Sequence, residues 1–213
     1  VESLSELEMI NEIAISLNIE APIAFRVNPD IDAGTHENIS TGKADNKFGI
    51  PIGNAKEIYQ YASKLDKIKV VGIDVHIGSQ ISDLNAFRQT FEHLKKLIYD
   101  LNDINIVLEK IDIGGGLGIK YTEDDIQPDL QEYGKLVKQI LGNLNCRIIF
   151  EPGRYIVANS GILVTKVLHS KKSQNKSFLV TDAGMNDFSR TALYGATHRL
   201  IPVSYTHLRA HET

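Results

Sequence analysis

Four short stretches hold the residues best suited to chemistry: Arg26-Val27-Asn28, His76-Ile77-Gly78-Ser79-Gln80, Asp112-Ile113-Gly114-Gly115-Gly116-Leu117-Gly118 and Glu151-Pro152-Gly153-Arg154. Each closes an apolar, strand-like run. In parallel α/β folds the carboxyl ends of strands are where ligands bind. Consecutive glycines let a backbone approach a ligand and aim several N–H groups at one anion. Gly114-Gly115-Gly116 therefore reads as a phosphate loop, or equally as a tight strand-to-helix turn. No Gly-Lys-Ser/Thr follows, so it is not a P-loop, and no acidic partner about 20 residues on makes it a dinucleotide loop. Glu151 and Arg154, three apart, would ordinarily form a surface ion pair. After a strongly apolar strand they read otherwise. Glu151 could hold a pyridinium nitrogen protonated, and Arg154 could fork onto a phosphate or a substrate carboxylate. His76 could stack on a flat ring, and Ser79 could donate to a phosphate. Alone, His76 would read as a core histidine; beside the other stretches it reads as a cofactor residue.

These requirements match pyridoxal 5'-phosphate. That cofactor is an electron sink only while its ring nitrogen carries a proton, and an amino acid joined to it can then lose its α-carboxylate. A carboxylate near the nitrogen raises the nitrogen's pKa by charge attraction. Glycine amides at the phosphate would fix the ring's orientation. His76 and Glu151 are the candidate catalytic residues. Ser79, Gly114, Gly115, Gly116, Gly153 and Arg154 join them as candidate cofactor ligands.

The elements that must position these residues alternate. Ser3 caps a predicted helix with apolar Leu4, Leu7, Ile10, Ile13 and Leu17. Pro22 to Asn28 reads as a strand, and Pro29 to Asn46 as a polar loop. Ile52 to Leu65 reads as a helix with Ala55, Ile58, Tyr59 and Ala62 on one face. Val70 to Ile77 is a strand. Leu84 to Leu101 is a strongly amphipathic helix carrying Phe87, Phe91, Leu94, Leu97, Ile98 and Leu101. Leu108 to Ile113 is a strand, Leu130 to Leu141 a helix, and Arg147 to Phe150 a strand ending at Glu151. Such a rhythm implies βαβ units and a parallel sheet. An open doubly wound sheet and a (β/α)8 barrel compete, and a barrel needs eight units where about five are legible. Beyond Ser160, Ile162 to Leu168 and Ser177 to Thr181 flank a polar turn, Ser170 to Lys176, in a hairpin pattern. The expected division is a cofactor-binding partial barrel over 1–159, the start of a β-rich domain over 160–203, and a non-native tail over 204–213.

Apolar residues at 42% and charged residues at 23% fit a globular protein. A net charge of −4 gives no basic surface for nucleic acid. No apolar run approaches the ~20 residues that span a bilayer. The opening Val1-Glu2-Ser3 reads as the exit of a strand rather than a signal peptide. The single cysteine, Cys146, fits a reducing compartment and a small buried role, so a cytoplasmic protein is expected. His207 and His211, four apart, lack a third ligand nearby, and no metal site is expected.

In this order, the His76-to-Gln80, Asp112-to-Gly118 and Glu151-to-Tyr155 motifs resemble the pyridoxal-phosphate-dependent decarboxylases built on an alanine-racemase-type barrel. Arg26-Val27-Asn28-Pro29, Thr35-His36, Ser40-Thr41-Gly42 and Lys47-Phe48-Gly49-Ile50 resemble the diaminopimelate decarboxylases of that group. So do Asp182-Ala183-Gly184-Met185-Asn186-Asp187, Arg190 and Ala192-Leu193-Tyr194. The resemblance runs from Val1 to about Val203. It implies a partial (β/α)8 TIM barrel followed by the start of a β-rich domain. It implies His76 on the cofactor ring, Glu151 at the pyridine nitrogen, and Ser79, the Gly114–Gly116 loop, Gly153 and Arg154 at the phosphate, with Gly116 the best single glycine. It implies Arg154, Arg190 and Tyr194 on the substrate's carboxylates, an amino acid as substrate, and a homodimer in the full-length protein.

The family's Schiff-base lysine sits in a Tyr-x-x-Lys-Ala type motif, which these residues lack. Lys47 matches a different family position and is assigned a structural role. The family's segment with a catalytic cysteine and its neighbouring acid is likewise missing. Thr191 and Thr197 stand where the resemblance leads one to expect proline and tyrosine. Three readings follow: a fragment of a diaminopimelate decarboxylase that is inactive alone, a relative acting on arginine, ornithine or carboxynorspermidine, and a non-catalytic cofactor- or phosphate-binding module.

Overall fold

The computed structural model describes residues 1–31 and 48–203. Lys47, Thr35-His36, Ser40-Thr41-Gly42 and the histidines of the tail lie outside the described residues.

Five strands, β1 (Ala21–Asn28), β2 (Ile50–Pro51), β3 (Ile68–Asp74), β4 (Lys110–Asp112) and β5 (Arg147–Ile149), form one all-parallel sheet in the order β2-β1-β3-β4-β5. The short β2 is unexpected from sequence; Pro51 leaves it after two residues. From β1 onward through β3, β4 and β5, each new strand is laid on the same side of the last. Val1 also pairs with β1, donating to Ala24 O at 2.8 Å and accepting from Arg26 N at 2.9 Å.

Helices α1 (Leu4–Leu17), α2 (Ile52–Ala62), α3 (Leu84–Asn102) and α4 (Leu130–Leu141) connect the strands. Each has a reason to start or stay. Ser3 Oγ accepts the Glu6 N–H at 3.2 Å, and Asp83 and Asp129 accept first-turn amides of α3 and α4 at 2.8 and 2.7 Å. Such caps stabilise by about 1 kcal/mol each. The expected α3 stripe is buried in full. That of α1 is not: Leu7 and Ala14, two turns apart, are buried, whereas Leu4, Ile13 and Leu17 are exposed. Alternate strand residues Phe25, Ile73 and Ile111 enter the core beneath the helices, with Tyr59 edge-on to Phe25 at 4.9 Å. The Tyr59 hydroxyl donates to Gly72 O at 2.9 Å, so its buried polar tip is satisfied. Cys146 is half-buried and donates its thiol to Leu108 O.

The chain divides into two compact units, one of Val1–Ile119 with Ile126–Ser160, the other of Lys120–Asp125 with the chain from Gly161 onward. The second holds an antiparallel hairpin, β6 (Val167–Lys172) and β7 (Ser177–Thr181), closed where Ser173 N–H donates to Lys176 O at 2.8 Å. Two short helices were not foreseen, α5 (Arg154–Val157) in the first unit and α6 (Arg190–Tyr194) in the second. No described helix is long and apolar enough to cross a membrane.

Candidate functional site

Strand alternation sends Phe25, Ile73 and Ile111 towards the helices, so Arg26, Asp74 and Asp112 face the other side of the sheet. These three are direct partners across β1, β3 and β4. Just beyond them the chain turns at His76, at the glycine run and at Glu151. The glycine run is held by its own protein. Gly114 donates its N–H to Asp112 Oδ1 at 3.0 Å, and Gly115 donates to His76 Nδ1 at 3.3 Å. Glu151 N–H donates to Gly114 O at 2.8 Å, and Ile81 N–H to Gly116 O at 2.9 Å. Two of the three glycine amides are thus committed. Gly116 N–H has no acceptor among the described residues, which makes it the amide fitted to an anion. Close approach is what the glycines provide. A Cβ on Gly115 would meet Glu151 O at 2.2 Å, and one on Gly114 or Gly116 would meet Val75 O or Gly78 O at 2.3 Å. A cradle this tight, with one spare amide beside an acid and an imidazole, fits a phosphorylated pyridine.

His76 is held with Nδ1 as acceptor, so the proton of its neutral ring sits on Nε2. Burial holds its pKa below the ordinary histidine value, helped by Arg26 and opposed by Asp112. A neutral, flat ring results. Glu151 is exposed just beyond β5, the edge strand of the described sheet, so an apolar-strand argument for its burial does not hold. Its carboxylate lies with those of Asp74 and Asp112, all within 4.8 Å of one another. Burial, then Asp112, pushes the Asp74 carboxyl up to about 6, with Glu151 adding to the rise and Arg26 opposing it. Arg26 itself pairs with Glu2 at 2.9 Å and lies over the Phe48 ring at 4.9 Å.

Arg154 does not pair with Glu151 among the described residues. It donates to Gln80 Oε1 at 3.2 Å. Gln80 also clamps Ile119, accepting its N–H at 3.2 Å and donating to its carbonyl at 2.5 Å. One amide thereby joins the His76 loop, the exit of the glycine loop and Arg154. Gln80→Ala is expected to lower stability by about 2 kcal/mol, because it leaves part-buried partners unmet. Urea unfolding checks this; a loss under about 0.5 kcal/mol would remove Gln80 from that role. Ser79 is half-buried three residues past His76, and Gly153 opens α5 with nothing within 4 Å of a built Cβ.

The second unit gathers its own cluster. The Arg190 guanidinium lies over the rings of Tyr194 at 5.4 Å and Tyr121 at 5.7 Å. Tyr121 carried no role in the sequence reading, and neither did Asp74. For Asp74 a signal existed: Ile73-Asp74-Val75 and Ile111-Asp112-Ile113 each put a charge inside an apolar strand.

The family model described as "Pyridoxal-dependent decarboxylase, pyridoxal binding domain" matches residues 1–158. The chain belongs to the pyridoxal-dependent decarboxylases. Its cofactor is pyridoxal phosphate, and the first unit is where the family binds it. Among curated relatives, a diaminopimelate decarboxylase of Aquifex aeolicus is 47% identical over 95% of this chain and 48% of its own length. That of Haemophilus influenzae is 45% identical over 97% of this chain and 50% of its own. The solved structure of diaminopimelate decarboxylase from Helicobacter pylori complexed with L-lysine superposes with a TM-score of 0.90 at 44% identity, covering 96% of this chain and 52% of that one. The chain spans about half the length of the curated relatives it matches. The barrel is therefore the correct architecture, and the open doubly wound sheet is not.

Proposed function

We propose that this chain is the cofactor-binding part of a cytoplasmic, homodimeric diaminopimelate decarboxylase, which converts meso-diaminopimelate to L-lysine and carbon dioxide. One observation carries the reading. His76, the Gly114–Gly116 loop and Glu151 meet at neighbouring strand ends through direct hydrogen bonds. Pyridoxal phosphate supplies an electron sink that makes loss of an α-carboxylate feasible. The chain's residues do the rest. His76, kept neutral, lies against the ring. Glu151 holds the proton on the ring nitrogen, supported by the charge of Asp112. The Gly116 amide and Ser79 take the phosphate, with Gly153 and Arg154 beside them. Arg190 and Tyr194 take a carboxylate of the amino acid, and Arg154 is a second candidate for one. Residues 1–159 and 160–203 are the two domains of this reading.

Pyridoxal phosphate titration of the 213-residue chain tests it. We expect saturable binding that weakens about tenfold in His76→Ala, the loss of one ring contact. Diaminopimelate should perturb the bound cofactor more than arginine or ornithine does. Equal responses to all three would favour a different substrate. Borohydride reduction should trap no covalent adduct, since the Tyr-x-x-Lys-Ala type motif of the family's Schiff-base lysine is not among these residues and Lys47 is assigned a structural role; an adduct at Lys47 would overturn that assignment. A trapped lysine elsewhere would overturn the expectation that no lysine of this chain forms the adduct.

A further inference from the structure

Lys120–Asp125 follows the glycine loop directly in the chain yet belongs to the second unit. The segment is built around its own acid. Asp125 Oδ2 accepts the N–H groups of Tyr121 and Thr122, both at 2.8 Å, and those bonds hold its carboxyl below the usual aspartate range. Glu123 reaches Arg199 at 3.4 Å. The Tyr121 backbone is thereby fixed. Its ring is fixed as well, because His198 meets it edge-on at 5.2 Å and packs against Phe188 at 4.6 Å. Across the ring stands the Arg190 guanidinium, which Tyr194 flanks at 5.4 Å. Arg190 Nε is buried and has no hydrogen-bond partner among the described residues. A guanidinium held by ring faces keeps its N–H edges for a planar acceptor, and a carboxylate is the acceptor that matches the fork.

We propose that Tyr121 is a positioning residue that, with Tyr194, holds the Arg190 guanidinium in the plane that receives a carboxylate of the amino-acid substrate. This rests on the reading of Arg190 as a substrate-binding residue. It adds a part from outside the motif that carries Arg190, and it makes the chain just past the phosphate loop a determinant of substrate affinity.

The test is NMR of the whole 213-residue chain labelled with [15N]arginine, with the Arg190 Nε–Hε signal assigned by its absence in Arg190→Lys. The ligand is meso-diaminopimelate, and the variants are Tyr121→Ala and Tyr121→Phe. Tyr121→Ala should weaken binding about tenfold and speed Hε exchange with water, whereas Tyr121→Phe, which keeps the ring face, should stay within about twofold. Parental affinity in Tyr121→Ala overturns the inference. So does a Tyr121→Phe chain as weak as Tyr121→Ala, because the hydroxyl and not the ring face would then be at work. If the parent chain does not bind diaminopimelate, the substrate reading of Arg190 falls by itself. Hε exchange still decides Tyr121: faster exchange in Tyr121→Ala supports the clamp, and unchanged exchange overturns it.

Discussion

Replacing Gly115 by alanine should abolish pyridoxal phosphate binding and lower stability by about 3 kcal/mol. The new Cβ would sit 2.2 Å from Glu151 O and 3.1 Å from its carbonyl carbon. Both are backbone atoms, so no side chain can swing aside. Either β5 shifts away from β4 or the glycine loop lifts, and each breaks a bond the cradle needs. The Glu151 N–H to Gly114 O bond joins the acid to the loop, and the Gly115 N–H to His76 Nδ1 bond joins the loop to the imidazole. Gly115 is the informative position of the three. Gly114 and Gly116 have φ of +65° and +95°, so alanine there would add backbone strain to the clash. At Gly115 the close approach acts alone. Gly153→Ala is the matched control, since nothing lies within 4 Å of its built Cβ. It should leave stability within about 0.5 kcal/mol, and its cofactor affinity then reports Gly153 separately. Urea unfolding and cofactor titration measure both. A Gly115→Ala chain that unfolds within about 1 kcal/mol of the parent and still binds would show that the strand ends are not rigidly joined.

Why the loop was legible and other parts were not follows from what each depends on. The glycine run, His76 and Glu151 were legible because each follows an apolar, strand-like run and the three stand together in one ordered set of motifs. The α2 and α3 stripes were legible because burial repeats with the helical period. The boundary of β3 was not, because Val75 and Ile77 stay apolar and buried after the ladder to β4 has ended at Asp74. β2 could not be read, since two residues carry no period. The sequence offers Arg154 a phosphate or a substrate carboxylate, but its protein contact is Gln80, 74 positions away, which no local spacing marks. Tyr121 has the same explanation: its surroundings come from a distant helix, and spacing along the chain holds no record of them. Asp74 is marked by its charge inside an apolar strand, but its acidic neighbours Asp112 and Glu151 come from other strand ends.

Asp74→Asn should stabilise the chain by about 2 kcal/mol at pH 8 and by almost nothing at pH 4. An ordinary aspartate titrates near 3.8, whereas Asp74 in the folded chain titrates at about 6. Between those values the folded chain holds a proton that the unfolded chain releases. Stability from this group is therefore full below about pH 4 and is lost as pH rises through about 6. Two decades of proton affinity amount to about 3 kcal/mol, and solvent reaching this half-buried group reduces that to about 2. The cause is burial first, then the charges of Asp112 and Glu151, with Arg26 and the amino terminus opposing. An amide keeps the shape and removes the charge, so the penalty above pH 6 disappears. Thermal unfolding of parent and variant at pH 4, 6 and 8 measures the difference. A variant less stable than the parent at pH 8 would mean that attraction between Asp74 and Arg26 outweighs burial and the two neighbouring acids. The same balance bears on the cofactor site. An unpartnered Asp74 Oδ1 beside Glu151 adds negative potential where a ring nitrogen must keep its proton. The stability lost by burying that charge is then a cost of the electrostatics the site requires, and Asp74→Asn should gain stability while loosening the hold on the ring proton.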